Sequence, residues 1–100
     1  MRIVYGLITR LTAQSGQREA LAQLLAGGLG HRAGCLSYIV ALDTVSADHL
    51  WVTEVWVDEA AHRDSLVDPM VKAFGVRIWP MVARMDDPVV TEPLSGSGAL

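Results

Sequence analysis

The run Leu50–His62, L-W-V-T-E-V-W-V-D-E-A-A-H, restricts what this chain can fold into more than any other stretch. It begins with strict alternation. Leu50, Val52, Glu54 and Trp56 fall on one side, and Trp51, Thr53, Val55 and Val57 on the other. A two-residue period rich in β-branched and aromatic side chains specifies a strand. At Asp58 the pattern changes to D-E-A-A-H-R-D-S-L, a helix start. Asp58 can cap its free backbone N–H groups, and Glu59 sits well against the positive end of the helix dipole. A carboxylate, an indole and an imidazole (Glu54, Trp56, His62) therefore gather at one strand-to-helix junction. Both sides of the strand are largely apolar, so both need a cover.

Three further strands and further helical segments follow from the same reading. Ile3–Leu11 alternates Ile3, Tyr5, Leu7 and Thr9 against Val4, Gly6, Ile8 and Arg10, a buried strand. After the turn Gln14-Ser15-Gly16, in which Ser15 can cap, Gln17–Leu29 sets Ala20, Leu21, Leu24, Leu25 and Gly28 at helical spacing. His31-Arg32-Ala33-Gly34 is a connection. Cys35–Leu42 is a second strand, and the polar turn Asp43–Asp48 returns the chain antiparallel as His49–Val57. The helix from Glu59 to about Val67 stops at Asp68-Pro69, where proline suits the start of a new helix. Met70, Val71, Phe74, Ile78 and Met81 then recur about every four residues. Gly75 and Pro80 interrupt them, which predicts two short helical pieces. Pro88–Glu92 is a last strand at an edge, where its proline is tolerated.

The order β-α-β-β-α-β is the ferredoxin-like arrangement, an α+β fold with a four-stranded antiparallel sheet and helices on one face. One hundred residues make one domain. We assign it to residues 1–92, with the Ser/Gly-rich 93–100 as a flexible C-terminal tail. A monomer of this size buries roughly 60–65% of its unfolded surface. Yet 51% of the residues are hydrophobic and 19% charged, more apolar material than one small core hides. A two-fold homodimer that closes two sheets face to face is the economical solution for the uncovered face.

Composition also excludes function classes. A net charge of -3, one lysine and scattered arginines give no basic patch for a nucleic-acid backbone. No apolar run reaches the ~18 residues of a membrane span, and the amino terminus lacks the features of a secretory leader. The single cysteine, Cys35, fits a reducing compartment and reads as packing. These features together suggest a cytoplasmic protein. His31, His49 and His62 show no metal-ligand spacing, so no metal site is expected. Gly27-Gly28-x-Gly30 follows a helix rather than a strand and is no dinucleotide loop.

The motif Glu54-x-Trp56-x-Asp58-Glu59-x-Ala61-His62, with Gly34-Cys35-Leu36-x-Tyr38 before it and Phe74 after it, resembles the antibiotic biosynthesis monooxygenase family of dimeric α/β barrel proteins. The resemblance spans about Ile3 to Glu92. It implies an enzyme that uses no metal or flavin and lets an electron-rich aromatic (a hydroquinone, phenol or anthrone-like compound) react with dioxygen in a pocket between sheet and helices. Such a protein favours the deprotonated substrate, holds it close to oxygen and keeps water out. By resemblance, Trp56 lines the pocket and offers its indole N–H, His62 takes or relays a proton, and Arg77 stabilises an oxyanion. Tyr5, Thr9, Glu54 and Trp79 complete the expected substrate-binding set. Glu54, a carboxylate in an apolar strand, needs a partner, with Arg10, Arg32, Arg77 or a group across the dimer as candidates. The chain departs from the family at Ser65, where many members carry histidine, and at Val52, where some oxygenases carry asparagine. Met70–Phe74 lacks the histidine of the haem-degrading members. A non-catalytic small-molecule-binding or stress-related dimer, and an isomerase of the same superfamily, remain the alternatives.

Overall fold

The computed structural model describes residues 4–94. Ile3 of the expected first strand and residues 95–100 of the expected tail lie outside the described residues. The chain runs β1 (Tyr5–Ala13), α1 (Arg18–Gly28), β2 (Cys35–Leu42), β3 (His49–Trp56), α2 (Glu59–Leu66), α3 (Pro69–Ile78), a 3-10 turn (Trp79–Met81), β4 (Val82–Met85) and β5 (Val89–Thr91). The sheet is antiparallel in the order β2-β3-β1-β4, and β5 also pairs with β1.

This is the expected ferredoxin-like architecture with two differences. The fourth strand is broken in two. β4 pairs with the end of β1 (Leu11–Ala13) and β5 with its beginning (Gly6–Ile8). Pro88 has no N–H to give the ladder, so the strand is interrupted there. Arg10 pins the break by donating from Nε to Asp86 Oδ2 at 2.8 Å. The second difference is that α3 runs unbroken through Gly75, and only Pro80 ends the α-helical pattern, inside the 3-10 turn. A lone glycine costs a helix about 1 kcal/mol, too little to break one that packs on a core. β4 was missed because V-A-R-M is too short for its alternation to be seen.

The Asp58 cap forms as the sequence implies, and Asp68 caps the helix that Pro69 begins. Asp58 Oδ1 accepts from Ala61 N–H at 2.8 Å, and Asp68 Oδ1 from Met70 N–H at 2.8 Å. Ser15 does not cap α1; Gln17 occupies that position without a side-chain bond. The β2–β3 turn is organised by Asp43, which accepts from Val45 N–H, Ser46 N–H and the Trp51 indole, each at 2.8 Å. These bonds, led by Ser46, lower its pKa to about 2.

Leu7, Thr9, Leu11 and Ala13 of β1 are buried beneath the helices, together with Leu50, Val52 and Trp56 of β3. Leu21 and Leu25 of α1 and Ile78 of α3 close over them. Gly28 allows this closure, because a Cβ there would collide with the Phe74 ring. The opposite sheet face carries Ile8, Ile39, Trp51, Thr53, Val55 and Val89, in register across four strands. Among the described residues no element packs over it as the helices pack over the other face, and Ile39 and Val89 are 57% and 59% exposed. Among the described residues no helix is long and apolar enough to cross a membrane.

Candidate active site

A hollow of about 490 Å³ lies between the sheet and the three helices. Its walls are mostly leucine, valine and Phe74, and its polar lining is small: Thr9, Arg32, Tyr38, Glu54, His62 and Lys72. That combination, an apolar body with a few polar groups, is the common form of a small-molecule site.

Each polar group is placed by an identifiable local cause. Glu54 points inward because the strand period that buries Val52 and Trp56 carries it to the same face. Desolvating a carboxylate demands a cation and hydrogen bonds. Arg32 supplies the cation: Nη2 donates to Glu54 Oε1 at 3.2 Å, with both side chains about 12% exposed. Of the three arginines considered from sequence, Arg32 is the partner. Its Nε donates to the Leu29 carbonyl at 2.9 Å and its Nη1 to Ser65 Oγ at 3.0 Å. Its guanidinium carbon lies 4.6 Å from the Trp56 ring centroid and 5.5 Å from that of Tyr38, in cation–π range.

Ser65, where the resemblance leads one to expect histidine, is thus part of the support. It is buried, receives the Arg32 bond and donates to the His62 carbonyl at 2.7 Å. Gly34 brings the Arg32 loop against α2. It has φ +83°, a left-handed conformation natural only to glycine. A Cβ there would lie 2.7 Å from that of Ala61.

His62 projects from the first turn of α2, which the Asp58 cap fixes. Its ring stands edge-on to Trp56, centroids 5.3 Å apart, and is tilted on Tyr5 at 5.6 Å. Burial lowers its pKa; Glu54 and Glu59 oppose this and the Arg32 cation assists it. The imidazole is therefore neutral near pH 7 and able to accept a proton. Tyr38 moves the other way: burial, then the Glu54 charge, raise its pKa and keep its hydroxyl protonated. Burial likewise raises the Cys35 pKa, which agrees with a packing role.

The sequence-selected residues divide into two groups. Thr9, Glu54, His62 and Trp79 line the hollow. Trp56, Tyr5 and Arg77 do not. Trp56 is completely buried behind the lining, and its indole N–H donates to Glu54 Oε1 at 3.1 Å instead of facing a ligand. An indole buried this deeply needs an acceptor, and the carboxylate two residues earlier is the nearest on its face. Tyr5 sits beside it, against His62. Arg77 is exposed on α3 and leans over Phe74 at 5.9 Å. It precedes the buried Ile78 by one residue, about 100° round the helix, and so points away from the hollow. Arg32 and Tyr38 were not selected as site residues. The available signal was the Glu54 carboxylate, whose need for a buried cation could have led to Arg32. Among the described residues no three His, Cys, Asp or Glu side chains gather as a metal would require.

The comparisons with known proteins bear on the family and the fold. The model of the antibiotic biosynthesis monooxygenase family matches residues 4–76. The chain is 40% identical to a structure from Chloroflexus aurantiacus J-10-fl provisionally described as an antibiotic biosynthesis monooxygenase, covering 96% of this chain and 98% of that one, with a TM-score of 0.89. PA3566 from Pseudomonas aeruginosa shares the fold at 23% identity, with 95% and 98% coverage and a TM-score of 0.78. A structure from Caulobacter crescentus CB15, also provisionally given the family's name, shares it at 19% identity, with 96% and 92% coverage and a TM-score of 0.74. No curated protein matches the chain significantly. The matched sequence, the fold and the motif residues around the strand-to-helix junction together place this chain in the antibiotic biosynthesis monooxygenase family.

Proposed function

We propose that the protein is a cofactor-independent monooxygenase that oxidises an electron-rich aromatic, a hydroquinone, phenol or anthrone-like compound, with dioxygen. The observation that carries this reading is the neutral His62 imidazole in the wall of a 490 Å³ apolar hollow, beside a buried Arg32–Glu54 pair. The hollow has room for a fused-ring substrate and is lined by a second polar cluster besides the imidazole. Met70, expected on the apolar helix face, is 81% exposed and does not enter it, while Phe74 forms part of its wall.

The chemistry balances without an outside reductant. A phenol with a free para C–H, plus O₂, gives the quinone and one water. One oxygen atom enters the ring, the other leaves as water, and the substrate supplies all four electrons. The protein's part is to take the phenolic proton on His62, since the phenolate gives up an electron to oxygen more readily than the phenol. It also excludes water from the reacting carbon. Thr9 and Trp79 border the bound ring, while Trp56 holds Glu54 and buttresses His62.

The uncovered sheet face supports a homodimer, with a second copy of this chain packed on Ile8, Trp51, Thr53 and Val55. Thr53→Arg, at the centre of that face, then gives a monomer by sedimentation. The activity test is oxygen uptake with a panel of hydroquinones and naphthols, with and without air. The expected result is stoichiometric O₂ consumption and quinone formation, reduced at least about 10²-fold by His62→Ala. Equal rates in the variant remove His62 from the mechanism. Turnover that persists without oxygen identifies an isomerase instead, and ligand binding without turnover a carrier.

A further inference from the structure

We propose that Arg32 is the anion-binding group of the hollow, holding the oxygen of an ionised phenol on guanidinium N–H groups that the protein leaves unengaged. This deepens the proposed function and rests on it for the class of ligand.

Three cations lie in or near the hollow, and their settings differ. Lys72 lines it but is an exposed side chain, so water screens its charge. Arg77 is exposed and outside the lining. Arg32 alone is largely withdrawn from water, at 12% side-chain exposure, and also lines the hollow.

Its hydrogen bonds leave a vacancy. A guanidinium carries five N–H donors. Among the described residues three are engaged: Nε with the Leu29 carbonyl, Nη1 with Ser65 Oγ and Nη2 with Glu54 Oε1. One N–H on each terminal nitrogen remains. The three bonds and the Trp56 ring fix the plane, so the free pair is preorganised and little side-chain entropy is lost when a ligand arrives.

The charges suit a phenol that ionises in place. Arg32, Glu54 and a neutral His62 sum to zero. When the phenolic proton passes to His62, the imidazolium and the phenolate add one charge of each sign, so the sum over this buried group is unchanged; Lys72 stands at the rim in water. Glu54 then has two tasks. It holds the arginine in position, and it attenuates the arginine's field. Tyr38, whose hydroxyl burial keeps protonated, presents its ring to the guanidinium at 5.5 Å.

The test uses 4-nitrophenol, whose ionised form absorbs visible light, bound to the full-length protein without any turnover. In the wild type the apparent pKa of the bound probe is expected to fall by about one unit relative to water. Glu54→Gln keeps an acceptor for Trp56 and Arg32 but removes the opposing charge, so it lowers the bound pKa further. Arg32→Met combined with Glu54→Gln leaves no orphan carboxylate and returns the pKa to its value in water or above. Failure of the probe to bind the wild type, or a bound pKa indifferent to both variants, overturns the proposal. Arg32-dependent ionisation in a protein that consumes no oxygen upholds the anion site while the monooxygenase reading fails. Oxygen consumption with an Arg32-independent probe pKa does the reverse.

Discussion

The Arg32–Glu54 pair offers a quantitative test of how the site is held together. At 3.2 Å and an effective dielectric near 20, the gross attraction is about 5 kcal/mol. Desolvation of two charges that are each about 12% exposed consumes most of it, leaving a net coupling of about 1–2 kcal/mol. Arg32→Met abolishes the bonds to Leu29, Ser65 and Glu54 and strands the carboxylate on the Trp56 indole alone. Removing one partner of a buried pair costs roughly 3–5 kcal/mol. The open hollow admits water to Glu54, so the low end, about 3 kcal/mol, applies. Glu54→Gln keeps both acceptor contacts and should cost about 1 kcal/mol. The double variant should then lose about 2–3 kcal/mol rather than the additive ~4. Urea titrations at one fixed protein concentration, which matters if unfolding is linked to dissociation, measure all four corners of the cycle. In thermal melts the Arg32→Met loss appears as a fall of about 12–24 °C. Additivity within about 0.3 kcal/mol would refute the argument, because it would mean that the two side chains do not depend on each other.

Other expectations follow from single contacts. Asp58→Ala removes the cap of an eight-residue helix and should cost about 1 kcal/mol. Because His62 rides on the first turn of that helix, activity should fall more steeply than stability when both are assayed at the same temperature. Gly28→Ala drives a methyl group into the Phe74 ring and should destabilise by about 1–3 kcal/mol in urea, with Phe74→Leu partly restoring it. For His62 the folded pKa lies below the ordinary 6.5 because burial disfavours the imidazolium. The unfolded chain therefore binds its proton first as pH falls. The contribution is full above about 6.5 and is lost as pH drops from there towards the folded pKa. Stability measured from pH 7 to pH 5 should fall less in His62→Gln than in the wild type, and parallel curves would show that His62 is as easily protonated folded as unfolded.

How much of this was legible in the sequence depends on whether a feature is local. The strand Leu50–Trp56, the Asp58 cap, the new helix at Pro69 and the β-α-β-β-α-β order rest on periodicity and local chemistry that act within a few residues, and they stand in the structure. The helix continues through Gly75, against the sequence expectation, because packing of Phe74 and Ile78 on the core outweighs the small intrinsic cost of one glycine. The position of Arg77 was judged from its distance along the chain to Phe74. The outcome turned on which side of α3 faces the sheet.

The site shows the same division. That Glu54 needed a cation was written in its place on an apolar strand face, because an unpaired carboxylate there is too costly. Which cation answered was decided by the fold, which brings a loop residue 22 positions earlier onto the same carboxylate. Trp56 was expected to offer its N–H to a ligand, yet the same carboxylate takes it. Side-chain period and the energy of desolvating one group fix most of the elements, their order and the buried charge; β4 is the exception, because four residues are too few to show an alternation. Which group satisfies that charge, and which donors stay free to meet a substrate, emerge only when the segments are brought together, because those answers depend on distances that no local pattern encodes.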